Sequence, residues 1–288
     1  MPELTLDQGT IRYRDEGTGP TVVLIHGALV DGRLWDPVVE RLRDRFRCVV
    51  PELPLGSHER PMPPGADLSP TGLAKLIADF VERLDLRDVT LVGNDTGGGL
   101  CQLLVTAAPE RVGRLVLTNC DAFEDFPPAM VKPLVTFAKI PGALRAGLAP
   151  MRIRAARRLP IAYGLLSKRP IPGEVTDGWV LRALRDRGVM ADLRQVLSGL
   201  DGKLLLDNAP RLTEFAKPVL IVWAGEDKIF KTSLAHRLAA VFPDARVEEV
   251  SDSYTFVSWD RPDRVAELIG AFAGQGQAAG SVAAGTSA

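Results

Sequence analysis

At 288 residues, with 46% hydrophobic and 25% charged residues, the chain is long enough for one large core domain or a core carrying an insertion. A net charge of −1 excludes the basic surface of a general nucleic-acid or membrane-surface binder and leaves a small molecule as the expected partner. Cys48, Cys101 and Cys120 lie in apolar runs at spacings that fit neither a zinc site nor a Cys-x-x-Cys pair, so reduced core cysteines, no metal and no cofactor are expected.

The first part of the chain alternates strand and turn signals: "ELTLDQG", "TIRYRDEGTG" and then the buried run "TVVLIHG" from Thr21 to Gly27. "LWDPVVERLRDRF" carries apolar residues at helical spacing, and "RCVVPEL" is a further short strand followed by a Pro-rich loop. Ser69 caps and Pro70 opens the helix "SPTGLAKLIADFVERLDL". The strand "DVTLVG" then runs into Gly93-Asn94-Asp95-Thr96-Gly97-Gly98. Its glycines are spaced as in a nucleophile elbow, the sharp strand-to-helix turn that lifts one side chain into a pocket. "RLVLTNC", Arg114 to Cys120, and "KPVLIVWAG", Lys217 to Gly225, are the next buried strands. Strands alternating with helices at this spacing predict an α/β fold, a mostly parallel sheet covered on both faces.

Between Asp121 and about Pro210 no buried strand run occurs, only amphipathic pieces broken by "FPP", "IPG", "LAP" and "RPIPG". This interval reads as a helical cap inserted at the end of a strand, where open α/β sheets bind their ligands. The expected organisation is core over 1–120, cap over 121–210, core again over 211–273, and a disordered Gly/Ala/Ser-rich tail over 274–288. From Pro127 to Gly173 the cap carries nine Lys and Arg residues and no acid, either a solvated face or an attractor for an anionic substrate. No charged-then-apolar leader opens the sequence and no uncharged apolar run reaches membrane-spanning length, so a cytoplasmic monomer or homodimer is expected.

The segments "LIHGALVDGRLW", "GNDTGG", "LVLTN" and "IVWAGEDKIF", in that order, make the chain resemble the α/β-hydrolase fold family along its whole length apart from the tail. That resemblance implies an eight-stranded sheet. An aspartate at the elbow followed by a helical cap is most similar to the branch containing haloalkane dehalogenases and epoxide hydrolases. There, the carboxylate attacks an alkyl carbon to give an ester that water hydrolyses, a role that falls to Asp95. The resemblance further implies an oxyanion hole from the backbone N–H groups of Ala28 and Thr96, and Asp227 as the acid that orients a catalytic histidine, with Asp121 the rival position. His26 would be a packing residue beneath the hole.

The sequence departs from that family where the histidine belongs. The segment "VSDSYTFVSWDRP" contains none, and alignment on Asp260 and Pro262 places Thr255 at the histidine position, beside Tyr254. Of the three histidines, His236 falls on a surface helix, and His58, in the loop "ELPLGSHERPMPPG" near the elbow, is the candidate substitute base or substrate contact. The tryptophan and asparagine that clamp halide in dehalogenases are Thr96 and Ala28 here, whereas Tyr163 and Trp179 of the cap, with Thr255 and Tyr254, are the candidate substrate contacts. Four functions compete. The first is an enzyme using Asp95 on an epoxide-like or otherwise activated small molecule. The second is a non-hydrolytic lyase, isomerase or cyclase using Asp95 as base or anchor. The third is a dehalogenase-like hydrolase, and the fourth a non-catalytic ligand-binding protein.

Overall fold

The computed structural model describes residues 1–276; most of the expected tail lies outside them, and Gly274–Gly276 form a short 3-10 turn. The strands are β1 (Glu3–Leu6), β2 (Gly9–Glu16), β3 (Thr21–Ile25), β4 (Arg47–Pro51), β5 (Val89–Asp95), β6 (Val112–Cys120), β7 (Val219–Ala224) and β8 (Ala245–Val250). They form one eight-stranded sheet in the order β1-β2-β4-β3-β5-β6-β7-β8. β1 and β2 make an antiparallel hairpin, β2 meets β4 antiparallel, and every pairing from β4 to β8 is parallel. This is the eight-stranded, mostly parallel sheet expected. The chain leaves β3 to one side for β4 and returns to the other side for β5. A crevice at the carboxyl ends of β3 and β5 follows from that reversal, and Gly27 and Asp95 sit at those ends.

The helices are α1 (Asp36–Leu42), α2 (Pro70–Arg83), α3 (Thr96–Ala107), α4 (Lys132–Ala138), α5 (Ala143–Leu148), α6 (Gly173–Arg185), α7 (Arg187–Gly199), α8 (Gly202–Asn208), α9 (Thr232–Val241), α10 (Val257–Asp260) and α11 (Pro262–Ala273). α1 packs with α11, and α2 packs with α3, so both faces of the sheet are covered. Complete coverage explains why β7 is buried at every position and β3 at Val22 through Ile25: a parallel strand inside such a sandwich has no polar face. Side-chain caps set several starts. Ser69 Oγ accepts from Gly72 N at 3.1 Å ahead of α2, and Asp186 accepts from Gly188 N at 2.7 Å ahead of α7.

Between β6 and β7 the chain forms α4 to α8 and short 3-10 turns, with no strand of the main sheet. Buried polar contacts fasten this helical segment to the core. Trp179 Nε1 donates to Asp31 Oδ1 at 3.0 Å, Ser57 Oγ to the Trp179 carbonyl at 2.6 Å, and Phe256 N to the Leu166 carbonyl at 2.6 Å. The buried Asp260 carboxylate takes four more bonds, from Ser167 Oγ (2.8 Å) and the amides of Lys168 (3.0 Å), Arg169 (2.9 Å) and Tyr254 (2.8 Å). A carboxylate so fully hydrogen-bonded holds a loop firmly, because freeing any donor would leave a buried group unsatisfied.

Candidate active site

Asp95 ends β5 and precedes the first turn of α3 with φ 54° and ψ −131°, a conformation that non-glycine residues almost never adopt. The neighbouring glycines make that turn physically possible. A Cβ on Gly97 would stand 2.5 Å from the His26 carbonyl oxygen, one on Gly93 2.7 Å from Gly98 Cα, and one on Gly98 2.3 Å from Cys120 Cβ. The strand and helix therefore approach to a distance no side chain tolerates. Gly27 serves the carboxyl itself: a Cβ there would lie 2.2 Å from Asp95 Oδ2, so the loop after β3 lies directly against the acid.

Asp95 is partly exposed and has no ion-pair partner among the described residues. Burial pushes its carboxyl up to about 7; the Thr96 backbone N–H works against this, and the Asp227 charge adds to it. Ala28 and Leu29 are half-buried beside it, and Leu29 has φ 56°. Asp121 follows β6 with its amide 3.4 Å from the Asp95 carbonyl oxygen. It is buried, its Oδ1 has no hydrogen-bond partner among the described residues, and burial, with the nearby Asp95 charge, pushes its carboxyl well above the usual carboxylate range. The elbow thus brings two carboxyl groups together, and burial raises both.

Asp227 stands beyond β7 and is held by five hydrogen bonds. Oδ1 accepts from the amides of Ile229 (2.7 Å) and Phe230 (3.1 Å), Oδ2 from Asn119 Nδ2 (2.6 Å), and the Thr255 hydroxyl reaches both oxygens at 3.0 Å. Burial nevertheless lifts its carboxyl to about 6. Thr255 is fully buried, and its carbonyl accepts from Asn94 Nδ2 at 2.9 Å, tying this loop to the residue before Asp95. The threonine occupies the place beside the acid that alignment assigned to a histidine. Its hydroxyl has no appreciable basicity at neutral pH, so the pair cannot take a proton from water as an acid-imidazole pair does.

His58 lies elsewhere. Its Nε2 is 3.0 Å from Asp192 Oδ2 of α7 and its Nδ1 accepts from Gly56 N at 3.4 Å, so both ring nitrogens are engaged in a buried core-to-cap contact. In this conformation neither nitrogen is free to act as the substitute base. His26 is buried and neutral, accepting from Leu53 N at 3.0 Å through Nε2, which leaves Nδ1–H for the Gly27 carbonyl at 2.9 Å. It props the loop that presses on Asp95. His236 is exposed on α9, 3.5 Å from Glu249.

Tyr163 and Trp179 meet edge-on at 5.4 Å, and both rings pack on Phe256, next to Thr255. The Tyr163 hydroxyl donates to the Leu29 carbonyl at 2.6 Å, so in this state it is not free to polarise a substrate oxygen. Tyr254 is placed differently, its ring lying under Lys168 (5.3 Å) and Lys228 (5.6 Å). The cap also closes on residues 29–31, and Asp95 lines none of the cavities of about 730, 610 and 570 Å³. Asn119, Phe256 and Gly27 went unnoticed in the sequence, although a buried asparagine ending the apolar run "LVLTN" was a readable sign of a polar partner nearby.

The chain is 30% identical to haloalkane dehalogenase 2 of Mycobacterium tuberculosis over 91% of both chains. It is 26% identical to the cis-3-alkyl-4-alkyloxetan-2-one decarboxylase of Shewanella oneidensis over 91% of this chain and 84% of the other. The structure of a haloalkane dehalogenase from Bradyrhizobium elkani superposes with a TM-score of 0.78 at 17% identity, covering 96% of this chain and 97% of that one, which is a likeness of fold. The family model for the alpha/beta hydrolase fold matches residues 20–262. The chain belongs to the α/β-hydrolase fold family of enzymes and is related to its haloalkane dehalogenases.

Proposed function

We propose that Asp95 is the nucleophile of an enzyme acting on a small, epoxide-like or otherwise activated electrophile, with the amides of Ala28 and Thr96 stabilising the charge that develops when the resulting ester is attacked. The observation that carries this reading is the strained, cation-free Asp95 carboxylate, pressed by Gly27 and largely buried at the switch point of the sheet. The carboxylate oxygen forms a bond to the electrophilic carbon as the carbon–oxygen or carbon–leaving-group bond breaks. Regeneration then needs water and a base, and Thr255 in the hand of Asp227 supplies none. Halide-clamping residues are missing beside Asp95, which argues against a simple haloalkane substrate.

A second reading has a specific observation in its favour. A relative named for decarboxylating an oxetan-2-one, a strained four-membered lactone, acts on a ring whose conversion to alkene and carbon dioxide consumes no water. Such a lyase reaction would leave the missing base without consequence. Intact-mass measurement after incubation with an epoxide, an alkyl bromide and an oxetan-2-one separates the readings. A stable mass gain from the epoxide or bromide, absent in an Asp95→Asn variant that folds, is the expected result. Alkene and carbon dioxide released from the lactone, with no adduct from any electrophile, would favour the lyase. An adduct that persists in Asp95→Asn would overturn the assignment of the nucleophile.

A further inference from the structure

The 570 Å³ cavity lies in the cap and is lined by Arg154, Arg157, Arg158, Lys168 and Arg169, together with Tyr163. Its size is that of a small-ligand site. Three carboxylates offset its cations, and none of them lines the cavity: Asp177 pairs with Arg154 and Arg157, while Glu226 and Asp252 pair with Lys168 and, in the second case, Arg169. Arg158 is exposed and has no ion-pair partner among the described residues.

Arg157 is the decisive residue. It is only 2% exposed, and its Nε donates to the Met151 carbonyl at 2.7 Å and its Nη1 to Thr176 Oγ1 at 3.0 Å and Asp177 Oδ1 at 2.5 Å. Its buried Nη2 has no hydrogen-bond partner among the described residues. A buried guanidinium N–H without an acceptor is costly, and an incoming anionic oxygen is the natural remedy. The cavity's inner wall is Tyr163, whose hydroxyl bonds to Leu29 and whose ring packs against Trp179 and Phe256 of the candidate active site. Tyr163 therefore joins the lining of the basic cavity to the loop that follows β3.

We propose that this cavity is an anion subsite, in which Arg157 and Arg158 hold the carboxylate or phosphate headgroup of an organic substrate while its body extends past Tyr163 towards Asp95. The link to catalysis rests on Asp95 being the reacting group; the anion site itself does not. Apolar neighbours such as Ile171 suit a ligand with a hydrocarbon body more than a bare inorganic ion.

Titration calorimetry on the full chain with 4-phenylbutyrate, phenyl phosphate and neutral 4-phenylbutan-1-ol tests this. The anions should bind saturably and the alcohol about tenfold more weakly or not at all, with the tighter anion identifying the preferred headgroup. Arg158→Glu, at an exposed and unpaired position, should weaken the anions about tenfold and leave the alcohol and the melting temperature unchanged. Arg157→Met should do the same if the cap stays folded, but Arg158→Glu carries the decision. Equal binding of alcohol and anion, or anion binding indifferent to Arg158→Glu, would overturn the subsite. Repeating the titration in Asp95→Asn keeps the two readings apart: retained anion binding without any covalent adduct in the native protein defeats the nucleophile and not the subsite, whereas adduct formation without selective anion binding defeats the subsite alone.

Discussion

The elbow and the loop after β8 are built by different means. Around Asp95 the geometry is a matter of backbone approach: Gly27, Gly93, Gly97 and Gly98 each occupy a place where a Cβ would collide with its neighbours. Around Asp227 it is a matter of single side chains, with Asn119, Thr255 and two amides converging on one carboxylate. The second frame kept its acid and its hydrogen bonds while carrying a threonine at the expected histidine position. A backbone-built site is hard to lose by one substitution, and a site that depends on one imidazole is not.

The sharpest way to break that contrast is to restore the side chain. Thr255→His should place an imidazole against Asp227 and speed release of an Asp95 adduct by about 10² to 10⁴, the usual worth of a general base. Loss of the mass adduct with time, followed in both proteins, measures it. Unchanged adduct lifetime in a folded variant would mean that the imidazole cannot reach the ester, and that the loop differs from its relatives by more than one residue.

Gly27→Ala tests the other half. Its Cβ would overlap Asp95 Oδ2, and since displacements of about 1 Å at a reacting atom can cost about 10²-fold, adduct formation should slow by roughly that factor. Rotating the carboxyl relieves the contact with Oδ2 but not the 2.7 Å contact with Asp95 Cβ, so the backbone must yield and the melting temperature should fall as well. Full reactivity in Gly27→Ala would show that Asp95 reacts from another rotamer.

Much of this contrast was legible in the sequence, for reasons that differ between the two halves. "GNDTGG" announces its geometry because close approach demands glycine, and buried parallel strands announce themselves as unbroken apolar runs such as "VLIVWA". The loss of histidine was equally readable as an absence. The fate of His58 was not, because its partner Asp192 lies 134 residues away on α7 and nothing local signals that pairing. The orphaned Nη2 of Arg157 was hidden for the same reason: a run of basic residues says nothing about which one is buried with too few acceptors.

A smaller, graded effect concerns pH. With its carboxyl raised to about 7, Asp95 should form adducts about tenfold more slowly for each unit below that value, because only the ionised form is nucleophilic. The same shift bears on stability with the opposite sense. A folded-state value above the unfolded one means the folded protein holds the proton more tightly, so this stabilising contribution is complete below about pH 4 and is lost as pH rises through about 7. Asp95→Asn should therefore gain on the native protein by up to about 4 kcal/mol at pH 8, with the gap closing towards pH 4 in denaturant titrations. A gap independent of pH would show that relief of some other strain, and not removal of a buried charge, explains the variant.

The smallest expected effect on chemistry belongs to His58, and it sharpens the comparison by asking whether any histidine serves the elbow. Both ring nitrogens are occupied, one by Asp192 of α7 and one by the Gly56 amide, and Met62 N shares the same Asp192 oxygen at 2.8 Å. The residue thus acts as a buried rivet between the Pro-rich loop and the cap. His58→Gln keeps a donor for Asp192 and should leave adduct formation and release within about twofold, whereas His58→Ala leaves the Asp192 oxygen with Met62 N alone and takes the acceptor from Gly56 N, which should cost about 1–3 kcal/mol of stability. If release of the adduct slowed tenfold or more in His58→Gln at an unchanged melting temperature, the imidazole would have to leave Asp192 during turnover. The missing base would then be a moving one, supplied from the cap interface instead of from the loop after β8.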